Sequence, residues 1–164
     1  MKKILILIIL LFFPFNSYAK TIVDKGVVCK NTKQNLSQFH LTPIIGLWFD
    51  KNNKVSLFQR VHNATLKKNV WSDMLKGTYK EEDFIISIIV TFQNYFYTGK
   101  WILDRTSTRL THDNFEFKCN LVFANKNQFL KSLDNSLVLY RQNKKNEKFR
   151  IQNEYNVKLN KRVF

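Results

Sequence analysis

A mainly β fold is what this sequence predicts: an antiparallel meander of about six to eight strands, closed as a small barrel or folded as a sandwich, with a C-terminal helix. Three observations predict it. From Phe115 to Phe123, apolar Phe115, Phe117, Cys119, Leu121 and Phe123 alternate with Glu116, Lys118 and Asn120, the period of a half-buried strand. Residues 84–92 form a β-branched apolar run, which reads as a strand buried on both faces. The only two cysteines, Cys29 and Cys119, fall on the core faces of the first and last strands. A disulfide there pins the two strands together, as happens when a sheet closes on itself or two sheets are clamped.

The chain begins with a different signal. Lys2 and Lys3 precede an unbroken apolar run, Ile4 to Phe13, which Pro14 ends, and Ser17-Tyr18-Ala19 places small residues before a cut. That is the layout of a secretory signal peptide over 1–19. Its ten-residue run is short of the roughly 20 that span a bilayer. The mature domain is expected from Lys20, with a periplasmic location in a Gram-negative cell, or secretion beyond it.

The strands follow in order. Gly26-Val27-Val28-Cys29 is short and β-prone. Leu47 to Asp50, the polar turn Lys51-Asn52-Asn53, and Lys54 to Val61 read as a hairpin. Residues 84–92 supply the next strand. Lys100 to Asp104, a turn at Thr106-Ser107-Thr108, Arg109 to His112, a turn at Asp113-Asn114, and Phe115 to Phe123 complete the meander. Two segments read as helical. Leu66, Val70 and Met74 recur every fourth residue, with Lys76-Gly77 as a stop. Phe129, Leu133 and Leu137 do the same in a helix beginning near residue 127, with Asp134-Asn135-Ser136 as an interruption or a later cap. The disulfide-tied domain then covers 20–140. Residues 141–164 carry eight basic and two acidic residues, and this basic tail reads as a solvated helix extension or a disordered arm, with a largely mobile tail favoured.

Charge and chemistry narrow the function classes. Lys and Arg total 27 against 12 Asp and Glu; without the two signal lysines the mature chain is formally +13. That balance suits anionic partners such as lipid headgroups or acidic glycans. An AT-rich codon bias produces a similar mix, given 21 Lys against 6 Arg and 18 Asn. Export argues against nucleic acid as the partner. Two cysteines in an exported chain make one disulfide, and without a Cys-x-x-Cys pair they suggest no redox catalysis. Catalytic and metal motifs are missing from the pattern. His40, His62 and His112 stand at no ligand spacing, and His112-Asp113 beside Thr111 falls at a turn that wants Asp-Asn for its backbone geometry. Glu81-Glu82-Asp83 reads as a charged turn. Residues alternating back from Phe164 are Arg162, Asn160, Lys158 and Asn156, too polar for the lipid face of a membrane barrel. No metal, cofactor or catalytic set is expected.

One short motif carries a likeness. Tyr97-Thr98-Gly99-Lys100-Trp101 resembles the Ser-Gly-x-Lys/Arg-Tyr loop of the periplasmic lysozyme-inhibitor family, small disulfide-bonded β-barrels. Thr stands for Ser here, and Lys follows Gly directly. The resemblance implies a partner-binding loop over 94–101, with Thr98, Lys100 and Trp101 as its contact residues.

Two binding functions are therefore expected ahead of any enzyme. In the first, a lipocalin-like interior holds a small apolar ligand, or the basic exterior holds an anionic envelope component. In the alternative, the 94–101 loop acts as an inhibitor or interaction module.

Overall fold

The computed structural model describes residues 21–32, 43–91, 98–113, 115–122 and 125–160. The signal segment 1–19, His40, residues 94–97 of the loop, Asn114, Phe123 and residues 161–164 lie outside them.

Eight strands follow the chain: β1 (Lys25–Asn31), β2 (Ile44–Phe49), β3 (Lys54–Asn63), β4 (Lys68–Glu81), β5 (Ile85–Val90), β6 (Gly99–Asp104), β7 (Arg109–His112) and β8 (Phe115–Val122), before the helix α1 (Lys126–Asn160). Each strand pairs antiparallel with the next, and β8 pairs back onto β1, closing a barrel. The disulfide locks that closure. Cys29 and Cys119 are register partners across the β1–β8 seam, with Cα atoms 4.0 Å apart and the Sγ atoms bonded.

Side chains of alternate residues fill the barrel. Trp101, Phe117, Phe49, Leu47, Leu57, Ile86, Ile88 and Leu103 are among the largest, all essentially inaccessible. A second apolar layer lies outside the wall, where α1 lays Phe129, Leu133 and Leu137 over Val28, Ile44 and Phe58. The helix comes this close because β1 and β2 offer glycines beneath it. A Cβ on Gly46 would stand 2.6 Å from Phe129 Cζ and 2.9 Å from Leu133 Cδ2, and one on Gly26 would overlap the Phe129 ring. Asn125 caps the helix, its Oδ1 accepting the Gln128 amide proton at 3.0 Å.

Four expectations are corrected. The segment from Leu66 is no helix: Leu66 sits in a turn and 68–75 belong to β4, paired with β3 across a register shift between Leu57 and Gln59. That irregularity reverses the faces within the stretch, so Trp71 packs outside against the helix cluster and Leu75 inside the barrel, and no clean two-residue alternation marks the strand. The run 84–92, whose last residue Phe92 lies outside the described residues, is not buried on both faces over 84–91; Ile85 and Ile89 are exposed, because α1 covers β1 and β2 instead. Asp134 neither interrupts nor caps the helix. Its carboxylate accepts hydrogen bonds from Arg60 Nη1 at 2.9 Å and Trp71 Nε1 at 2.8 Å, tying mid-helix to β3 and β4. The basic tail is not a mobile arm over 141–160, since α1 runs unbroken to Asn160.

Candidate functional site

Register determines where the charges meet. With Cys29 opposite Cys119 on antiparallel strands, Lys30 must oppose Lys118, and Lys118 in turn opposes Arg109 on β7. Three cations thus line one row across β1, β8 and β7 on the outer wall. Like charges directly opposite each other destabilise a sheet. Among the described residues, Arg109 alone in that row pairs with a carboxylate, Glu116 at 3.2 Å. Lys118 Nζ donates to the Ser107 carbonyl at 2.6 Å, and Lys30 Nζ lies 5.7 Å from the centre of the Tyr140 ring.

The helix makes the other wall. Between it and the β1–β8 seam runs a groove of about 430 Å³ lined by Lys30, Asn31, Thr32, Lys118, Tyr140, Asn143, Lys144 and Glu147. Three lysines meet one acid there, and Glu147 already pairs with Lys144 at 3.4 Å. Amide and hydroxyl groups of Asn143 and Tyr140 add neutral hydrogen-bonding capacity. Such a groove can hold an anion with several oxygens.

A smaller cleft of about 240 Å³ opens on the other side of Tyr140, against Pro43, Ile44, Arg60, Asn69, Trp71, Leu137 and Arg141. Its Arg60 is engaged by Asp134 and lies 5.5 Å from the Trp71 ring centre, so this side reads as an anchor for the helix.

The sequence-predicted residues part company. Thr98 and Lys100 are exposed at the start of β6, next to Gly99, whose φ of 133° suits glycine. Trp101 points the other way. It is fully buried in the barrel, stacked on the His112 ring with centroids 4.3 Å apart. Trp101 therefore cannot touch a partner on the same surface as Lys100; adjacent residues of a strand face opposite sides.

Remaining chemical candidates resolve into structural roles. His112 is buried, with Nδ1 3.2 Å from the Lys100 carbonyl. Its Nε2 stands 3.6 Å from Asp113 Oδ2, beyond hydrogen-bond distance, and that carboxylate is exposed. His62 meets Asn69 at 3.2 Å in the β3–β4 hairpin. Glu81 pairs with Arg105 at 2.7 Å, and Glu82 with Lys80 at 3.2 Å. Among the described residues no three His, Cys, Asp or Glu side chains gather to hold a metal ion. None of the described helices is long and apolar enough to cross a membrane. The disulfide fits a compartment other than the cytoplasm.

No protein-family model, curated protein or solved structure matches this chain.

Proposed function

We propose that this chain is an exported, non-enzymatic binding protein whose ligand is an anionic component of the cell envelope, held in the groove between the β1–β8 seam and α1. One observation carries the reading: Lys30 and Lys118 directly opposed, with Lys144 of the helix completing the groove. Setting two lysines at opposed register positions costs stability, and an anion bound between their side chains and Lys144 turns the repulsion into attraction. Periplasm, or the exterior, is the matching location, with the chain released after Ala19.

The barrel interior is the weaker site for a ligand. Side chains around a cavity large enough for a small apolar molecule would keep accessible surface, whereas Val27, Ile45, Leu47, Phe49, Ile86, Ile88, Trp101 and Phe117 have none. Eight strands enclose a space that side chains alone can fill. The alternative, a protein inhibitor acting at Thr98 and Lys100, keeps two exposed groups and loses Trp101. A formal charge of +13 also repels basic partners such as many lysozymes.

Titration with dextran sulfate, and with neutral dextran as the control, tests the proposal. The protein is expected to bind only the sulfated polymer, with affinity falling as salt rises. A Lys30→Ala/Lys118→Ala/Lys144→Ala variant is expected to lose about tenfold or more. Removing three exposed lysines elsewhere, Lys51→Ala/Lys54→Ala/Lys80→Ala, controls for net charge. Equal loss in both triple variants would mean that the groove is no site.

A further inference from the structure

The helix α1 is 35 residues long, yet only its first half has a barrel beneath it. Phe129, Leu133, Leu137 and Tyr140 step along the face that docks on β1, β2 and β3. Past Tyr140 every described residue of α1 whose side chain is placed is exposed, save half-buried Glu147. Asn143, Lys144 and Glu147 still wall the groove at the seam, and past them, at about 1.5 Å per residue, 148–160 make roughly 20 Å of free helix. It is held by its own pairs: Arg150 to Glu154 at 2.7 Å and Gln152 to Asn156 at 3.2 Å, both i,i+4.

That free half is unexpectedly apolar for its exposure. Phe149, Ile151, Tyr155, Val157 and Leu159 all stand 43–64% accessible. Ile151, Tyr155 and Leu159 continue, at four-residue steps, the line that docks higher up on the barrel. Phe149 and Val157 lie on the opposite side of the helix. Among them run Lys148, Arg150 and Lys158, against one acid, Glu154. That acid is already paired with Arg150 of the same helix.

We infer that the free half of α1 docks on an anionic membrane surface, its basic residues over the headgroups and its apolar residues at the acyl boundary. Charge selects this occupant. The segment past Glu147 is formally +2, so a second copy of the same helix would meet it with like charge. Ile151, Tyr155 and Leu159 share one side of the helix, and such a side can lie at the acyl boundary while long Lys and Arg side chains reach out to the headgroups. Exposed Lys and Arg near an anionic leaflet are drawn to it, so a helix of modest hydrophobicity still binds. This inference rests on the helix end alone and not on the groove.

The test is co-sedimentation of the disulfide-bonded chain beginning at Lys20 with phosphatidylcholine vesicles, with and without phosphatidylglycerol. Sedimentation only with the anionic vesicles, weakened by salt, is the expected result. An Ile151→Ser/Tyr155→Ser/Leu159→Ser variant is expected to bind about tenfold more weakly. Its urea midpoint and dextran sulfate affinity should stay at the wild-type values, since these side chains are exposed. The Lys30→Ala/Lys118→Ala variant should show the reverse, weak on dextran sulfate and unchanged on vesicles. Failure to sediment with anionic vesicles would overturn the inference. So would wild-type sedimentation by the triple variant, or a concentration-dependent dimer that the triple variant abolishes.

Discussion

Lys30 on β1 and Lys118 on β8 face each other directly, one residue along from the disulfide that joins Cys29 to Cys119. The covalent bond and the like-charge pair occupy adjacent rungs of the same seam. A rung that repels beside a rung that cannot open makes a stable cationic platform, with the groove floor on its outer side.

Replacing one of these cations by an acid should separate stability from binding. Lys30→Glu turns a repelling pair into an attracting one, worth about 0.2–1 kcal/mol at low ionic strength. The urea midpoint is expected to rise, and the gain to shrink in high salt. Affinity for dextran sulfate is expected to fall in the same variant. A Lys30→Glu protein that binds as well as wild type would remove the groove from consideration.

The disulfide closes a stretch with a sequence separation of 90 residues. Removing it as Cys29→Ser/Cys119→Ser is expected to cost about 2–5 kcal/mol, chiefly by releasing the unfolded chain. Because β1 and β8 are hydrogen-bonded neighbours as well, the barrel should still fold in the cold. Denaturant titration of oxidised and double-serine proteins gives the difference directly.

Helix docking rests on the absence of two methyl groups. Gly46→Ala puts a Cβ against Phe129 and Leu133, and overpacking of this kind costs about 1–3 kcal/mol. Phe129→Ala empties the same contact and is expected to cost about 3–5 kcal/mol. If the helix is an independent appendage, both variants will melt like wild type while limited proteolysis cuts within 126–140.

Much of this arrangement was legible before any coordinates. The alternation from Phe115, the two cysteines and the turn residues predict the meander and its closing bond, and Phe129, Leu133 and Leu137 at four-residue steps predict the helix near residue 127. The register of Lys30 on Lys118 follows from the same bond, because an antiparallel pair anchored at Cys29 and Cys119 leaves no other partner. It escaped notice because a lysine beside a core cysteine looks like ordinary surface alternation until the seam is known. The 66–75 segment misled for a physical reason: the register shift within β4 reverses its faces between Trp71 and Leu75, which erases the two-residue alternation of a regular strand. Continuation of α1 to Asn160 was hidden as well, since the segment has no barrel to bury against and no single apolar face to reveal its period. Glycines at 26 and 46 gave no warning that a helix would lie across them.

Trp101 and Lys100 are neighbours with opposite fates, and variants should tell them apart. Trp101→Ala removes the largest fully buried side chain and its stack on His112, with an expected cost of about 3–5 kcal/mol. Lys100→Ala is exposed and should stay within about 0.5 kcal/mol of wild type. If the 94–101 loop is a partner site, Lys100→Ala alone will weaken lysozyme inhibition while the fold is intact. Unaltered inhibition, or none in the wild type, leaves the groove as the site.

Two carboxylates should set the acid limit of the fold. Asp73 is held below the usual carboxylate range, first by its hydrogen bond from Lys76 Nζ at 2.8 Å, with Lys126 of the helix 3.9 Å away. Asp104 is lowered by the Ser107 amide, which it accepts at 3.0 Å in the β6–β7 turn. A depressed folded value means that the stabilisation is fully present above the unfolded carboxylate value of about 3.9. It is lost as pH falls through the lower folded value. The urea midpoint is therefore expected to hold from neutral pH down to about 4 as far as these two groups decide it, and to decline below that. Asp104→Asn and Asp73→Asn should each lower the neutral plateau and flatten the acid decline. An acid profile of unchanged steepness in both variants would assign the loss of stability to other carboxylates.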